Sequence, residues 1–159
     1  MPIAHLIHGY LGAGKTTFAK QLEDEFRAVR YSLDEWVVAL YGDDPPGEHI
    51  PDYTRRVYTL INTQWPRVLS RGIDVILDFG FWTRQWRDDV RKLAEEVNAT
   101  TRLYWVQCGD DTAWARLRAR NNNTQGSLYV ANDSFKTLRE RFEPLGEDEL
   151  SELVHIDSN

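Results

Sequence analysis

The sequence predicts an α/β domain with a mainly parallel sheet, and three observations carry that prediction. Short apolar runs of strand length alternate with longer stretches whose apolar residues recur at helical spacing. One run, Ile73 to Phe79, is nearly continuous in apolar character, as in a strand buried on both faces. A glycine-rich stretch, Gly9 to Gly14, joins the first apolar run to the first helical pattern. In sheets of this type, ligands bind at the carboxyl ends of the strands.

Each element has its own justification. Ile3 to His8 is the first strand, and a helix follows from Lys15 to about Arg27, with Phe18, Leu22 and Phe26 at four-residue spacing. Ala28 to Ser32 is a second strand. Ser32 or Asp34 can cap a short helix marked by Trp36, Val37 and Leu40. Pro, Gly and Asp make Tyr41 to Pro51 a loop. Helical periodicity then runs from Tyr53 to Val68, and Pro66 inside it predicts a kink or a break, because proline removes a backbone donor and crowds the preceding turn.

Gly72 ends that pattern, and the central strand Ile73 to Phe79 follows. Arg84 to Val97 reads as a helix with Trp86, Val90, Leu93 and Val97 inward, and Thr101 to Cys108 as a fourth strand. Asp110 or Asp111 caps a helix ending near Arg120. Asn121 to Ser127 is a polar loop, Ser134 to Phe142 a last helix, and Leu153 to Ile156 a short strand. Nothing resembling a linker or an internal repeat divides the chain, so residues 1–159 are expected to form one domain.

At 159 residues any second-substrate site has to come from loops and helices of this same domain. The net charge of −6 disfavours a nonspecific nucleic-acid binder, although a local basic channel is compatible with it. A single cysteine, Cys108, excludes an internal disulfide and a thiolate metal cluster. With no apolar run of membrane-spanning length, the expectation is a cytoplasmic protein, monomeric or homodimeric, that is not held in a membrane.

The chemistry begins at Gly9-Tyr10-Leu11-Gly12-Ala13-Gly14-Lys15-Thr16, which fits the phosphate-binding loop pattern. A backbone that wraps a triphosphate must turn its N–H groups inward and bring them close to oxygen, which glycines permit. Lys15 supplies a compact charge for the β- and γ-phosphates, and the Thr16 hydroxyl can ligate Mg²⁺. Gly12, Ala13, Gly14, Lys15, Thr16 and Thr17 are therefore the expected ATP contacts. The helix that starts near Lys15 points its positive end at the same anion.

Asp34 after strand two and Asp78 near the end of strand three should meet this loop at one sheet edge. Asp78 is placed to hold Mg²⁺, directly or through water, or to cap a loop amide. Although Asp78-Phe79-Gly80 spells the metal tripeptide of protein kinases, the His-Arg-Asp catalytic loop of those enzymes is missing. Asp34 can accept the proton of an attacking hydroxyl or serve as a helix cap. Arg116 and Arg120 share a helical face, with Arg118 pointing elsewhere, and suit a lid over the nucleotide or a solvated surface making ion pairs. Trp36, Tyr41, Phe81 and Trp82 are candidates for a substrate platform, and Arg84 and Arg87 for substrate contacts. His8 reads as structural.

Gly9 to Thr16, Ser32-Leu33-Asp34, Val75 to Asp78, Arg116 to Asn121 and the tail Arg141-Phe142-Glu143-Pro144 resemble the small P-loop kinases. That group includes polynucleotide 5′-hydroxyl kinases, chloramphenicol phosphotransferase and zeta-toxin-like sugar-nucleotide kinases. The resemblance implies a three-layer fold with five parallel strands ordered 2-3-1-4-5 and a short helical lid at about residues 116–135. It implies ATP as donor, a hydroxyl as acceptor, Asp34 as base, and Arg116 and Arg120 as lid arginines. Substrate recognition then falls to Tyr41 to Thr63 and Phe81 to Arg87. There Asp43, Asp44 and Glu48 suit a cationic acceptor, whereas Arg55, Arg56, Arg84 and Arg87 suit a phosphate-bearing one.

Overall fold

Five parallel strands in the order 2-3-1-4-5 form the centre of the computed structural model, which describes residues 1–122 and 128–155. They are β1 (Ile3–His8), β2 (Val29–Ser32), β3 (Val75–Gly80), β4 (Thr100–Gln107) and β5 (Glu152–His155). The helices are α1 (Lys15–Phe26), α2 (Leu33–Tyr41), α3 (Ile50–Asn62), α4 (Trp65–Leu69), α5 (Arg84–Glu96), α6 (Asp110–Asn121) and α7 (Asn132–Leu138). The polar loop and the end of the predicted last strand, Ile156, lie partly or wholly outside the described residues.

Alternation along the strands builds two apolar layers. Ile7, Ile76, Tyr104 and Val106 pack with Ala19 and Leu22 of α1 on one face. On the other, Leu6, Leu77, Phe79 and Leu103 pack with Val37, Val57, Ile61, Trp65 and Val90. Every residue of β3 is buried, as its composition predicts.

Several local expectations change in detail. The Pro66 signal resolves into a break: α3 stops at Asn62, and Pro66 occupies the first turn of the separate α4, where its missing N–H costs nothing. Ser32, not Asp34, caps α2, accepting from the Glu35 N–H at 3.4 Å. Gly109 stands at the cap of α6, which puts Asp110 and Asp111 in its first turn instead. There they face the positive end of the helix without capping it. The last predicted helix is shorter, because α7 gives way to a 3-10 turn at Arg139–Arg141.

Register positions the site. Ser32 lies opposite Asp78, and His8 lies opposite Gly80 on one side and Trp105 on the other. The carboxyl ends of β2, β3 and β1 are therefore neighbours, and all three carry candidate residues.

Candidate functional site

The phosphate loop leaves β1 at His8 and delivers the chain to α1 at Lys15. Gly12 and Gly14 take φ of 73° and 97°, where a side chain is strained, and a Cβ on Gly12 would collide with the Ala113 carbonyl of α6. No side chain caps α1, so its first amides remain free for an anion. The root of the loop is tied down by Gly9 N–H, which donates to the Gly80 carbonyl at 3.2 Å. Its outer side is tied by Tyr10, whose hydroxyl donates to the Phe135 carbonyl. The Tyr10 ring packs 5.4 Å from Trp82 and 5.6 Å from Phe142, with the Arg139 guanidinium 4.5 Å from its centroid. A cavity of about 400 Å³ opens beside the loop, between Tyr10, Ala13, Trp105, Cys108, Arg139 and Phe142.

Within the loop, Lys15 Nζ donates to the Tyr10 carbonyl at 2.7 Å. The Thr16 hydroxyl donates to Asp78 Oδ2, also at 2.7 Å. Burial holds the Lys15 ammonium below its ordinary pKa, opposed by the charges of Asp78 and Asp34. Burial likewise raises the Asp78 carboxyl, opposed first by Lys15 and then by the Thr16 hydrogen bond. Desolvation thus works against both charges, and their attraction offsets part of it.

Arg120 joins this set from α6. Burial lowers its pKa, and the charges of Asp34 and Asp78 pull it back. Its Nε, like Nη1 of Arg116, is buried without a hydrogen-bond partner among the described residues, whereas Arg118 is exposed. Guanidinium donors left unpaired in a protein interior are costly, and on the helix that packs against the phosphate loop they suit an anionic ligand. The alternative reading of Arg116 and Arg120, as surface residues making ion pairs, has no counterpart among the described contacts of either residue. Asp34, relieved of capping by Ser32, is exposed in the first turn of α2 and hydrogen-bonds no described residue. Thr16 and Asp78 offer adjacent oxygen donors, a set that suits a hard divalent cation such as Mg²⁺.

The aromatic candidates do not form one platform. Trp36 lies 6.1 Å from Tyr31, Tyr41 stacks face to face on Tyr53 at 3.7 Å, Phe81 is wholly buried in the core, and Trp82 leans on Tyr10. The arginine candidates are occupied. Arg87 is wholly buried, with its fork on Glu149 at 2.8 Å for both bonds, and Arg84 binds Asp148 and Asp88. Arg55 and Arg56 both pair with Asp52. Tyr10, Arg139 and Glu149 went unread in the sequence. Tyr10 fills a position the loop pattern leaves free, and the other two reach their partners only through folding.

Sheet order, loop and converging charges define a P-loop nucleotide-binding domain of the kinase-like type. The model of the AAA domain family matches residues 5–145, and the chain belongs to that family. No curated protein matches at a significant level. Among solved structures, a candidate kinase from Chloroflexus aurantiacus superposes with a TM-score of 0.79 at 16% identity, covering 97% of this chain and 88% of its own. Chaetomium thermophilum Kti12, solved with ADP-AlF3, gives 0.71 at 17% identity, covering 96% of this chain and 88% of that one. A gluconokinase from Sinorhizobium meliloti gives 0.68 at 15% identity, covering 99% and 85%. At such identities the likeness is one of fold.

Proposed function

We propose that the protein is an ATP-dependent phosphotransferase that moves the γ-phosphoryl group to a hydroxyl of a small molecule, such as an antibiotic, a nucleoside or a sugar derivative. One observation carries the reading: Asp34, with no capping duty, follows Ser32, which lies opposite Asp78 in the sheet, so its exposed carboxylate stands at the edge where the Thr16 hydroxyl binds Asp78. A carboxylate so placed can take the acceptor proton as the new P–O bond forms.

The division of labour follows from the side chains. Gly12 to Thr17 turn backbone amides and the start of α1 toward the phosphates. Lys15 leaves the Tyr10 carbonyl for the β- and γ-oxygens, and Arg116 and Arg120 direct their unpaired N–H groups at the charge that spreads over the moving phosphoryl. Thr16 and Asp78 would hold Mg²⁺, which when bound neutralises and orients the phosphate oxygens. Glu35, a neighbouring carboxylate that could orient water in a nucleotide switch, is paired with Arg30 at 3.2 Å, which favours transfer over hydrolysis.

The test is an acceptor screen with Mg·ATP and pools of antibiotics, nucleosides, sugars and 5′-hydroxyl oligonucleotides, read by mass spectrometry against Lys15→Ala. A phosphorylated small molecule made only by the wild type is the expected result. Product confined to oligonucleotides would reassign the acceptor, and ATP loss with no product in any pool would replace the kinase by a switch.

A further inference from the structure

We propose that Arg87 is a positioning residue for the phosphate loop, fixing the Gly80–Phe81 backbone on which the loop hangs while Glu149 in the C-terminal segment holds Arg87 in place. The inference rests on the loop binding a nucleotide and is independent of whether a phosphoryl group is then transferred.

The Gly80–Phe81 corner is conformationally costly. Gly80 has φ of 82° and Phe81 φ of 50°, a left-handed conformation that a bulky aromatic residue seldom adopts. Such backbone persists only where its surroundings over-determine it. Two donors converge on the Phe81 carbonyl: Arg87 Nη1 at 2.9 Å and His8 Nδ1 at 2.9 Å. One residue earlier, the Gly80 carbonyl accepts the N–H of Gly9, the first glycine of the loop. His8 ends β1 and Gly9 begins the loop, so one corner receives both residues at the loop's root.

Arg87 can serve as a brace because it is itself immobilised. Its Nε and Nη2 form a two-bond fork on Glu149, and Nη2 also donates to the Pro144 carbonyl at 3.2 Å. Arg91 reaches the same carboxylate at 2.7 Å, and the Gly146 N–H reaches it at 3.0 Å. A planar, always-charged fork can bind a carboxylate through two nitrogens and a carbonyl through the third, a geometry that the single nitrogen of an ammonium does not reproduce. Because a carbonyl only accepts, Nδ1 of His8 carries a proton, and burial, which lowers the ring's pKa to about 4, keeps the imidazole neutral near pH 7.

Two variants test the proposal without depending on one that fails to fold. Arg87→Lys keeps a charge for Glu149 but loses the fork. Arg87→Met combined with Glu149→Leu removes both members of the pair, and Arg91 keeps Asp88 as its partner. Affinity for Mg·ATP is measured by calorimetry, KM and kcat by ATP consumption, and the His8 imidazole by nitrogen NMR. The expected result is a roughly tenfold weaker ATP affinity and higher KM in both folded variants, as for a loop misplaced by a fraction of an ångström. The His8 Nδ1 signal should shift with it. Destabilisation alone would lower the active fraction, and so the apparent kcat, with KM unchanged. ATP affinity within about twofold of wild type in the folded double variant overturns the proposal. A wild type that bound no ATP would instead sink the nucleotide reading, and the His8 signal would then decide: unmoved in the double variant, it overturns the brace, and moved, it supports it.

Discussion

Two clusters of buried charge flank the phosphate loop, and they are built on opposite terms. Around Arg87, every strong donor has an acceptor within the chain: Glu149, Phe81 and Pro144 for Arg87, and Asp88 and Glu149 for Arg91. Around Lys15, hydrogen bonds among the described residues are fewer than charges: Arg120 Nε and, one turn earlier on α6, Arg116 Nη1 are buried with no partner there, and Asp34 hydrogen-bonds no described residue. A satisfied cluster stabilises the fold, whereas an unsatisfied one costs stability that only a ligand returns. The contrast separates scaffold from site more sharply than residue type does, since both clusters consist of arginines and carboxylates.

The comparison breaks if substitutions in the two clusters behave alike. Lys15→Ala should lower ATP-dependent turnover by about a thousandfold or more, with a melting temperature equal to or above that of the wild type. Turnover and thermal melts on the same sample decide it. Glu149→Ala should act first on stability, costing about 3–5 kcal/mol in urea unfolding because it strands the Arg87 guanidinium, with turnover at saturating ATP near that of the wild type. An unfolding midpoint unchanged from wild type would remove the satisfied cluster from its scaffold role.

Acid should reach the scaffold through His8, whose pKa burial lowers from 6.5 to about 4 with the positive charges of Arg87 and Lys15 adding to the effect. Between these values the unfolded chain binds a proton that the folded chain refuses. Stability from this group is thus full above pH 6.5 and falls by about 3 kcal/mol as pH drops toward 4. Unfolding curves of wild type and His8→Gln across that window should converge at low pH. Glu149, held well below the usual carboxylate range by Arg87, Gly146 and Arg91 against the desolvation of burial, loses its contribution only at lower pH.

Smaller effects sharpen the contrast. Arg120→Met should slow turnover by about a hundredfold while raising stability by about 1 kcal/mol, since an imperfectly paired buried cation leaves. A loss of stability there would place Arg120 with the scaffold. Ser32→Ala should cost about 1 kcal/mol in unfolding, the value of a helix cap, and leave ATP affinity unchanged. A large drop in turnover instead would show that the cap also orients Asp34.

Much of this was legible before folding, for physical reasons that differ from residue to residue. Gly12 and Gly14 announce themselves because only a chain without Cβ takes their φ values. The all-apolar β3 announces its burial, and Pro66 its helix boundary. Ser32 and Asp34 were both eligible as caps, and geometry two residues apart chose between them. The aromatic platform failed as a reading because neighbours in sequence diverge at a strand's end: Phe81 turns inward and Trp82 turns toward Tyr10.

By itself, then, the sequence determined the alternation of strands and helices, the phosphate loop and the edge at which Asp34, Asp78 and Lys15 would gather. These depend on local backbone demands and on apolar periodicity, which the chain carries at every position. Only the tertiary structure decided which charges are spent and which are free. Arg87 meets Glu149 across 62 residues, Tyr10 meets Phe135 across 125, and Arg120 Nε meets no hydrogen-bond acceptor among the described residues. An arginine's role is set by what lies within hydrogen-bonding reach of its fork, and that distance exists only once the chain has folded.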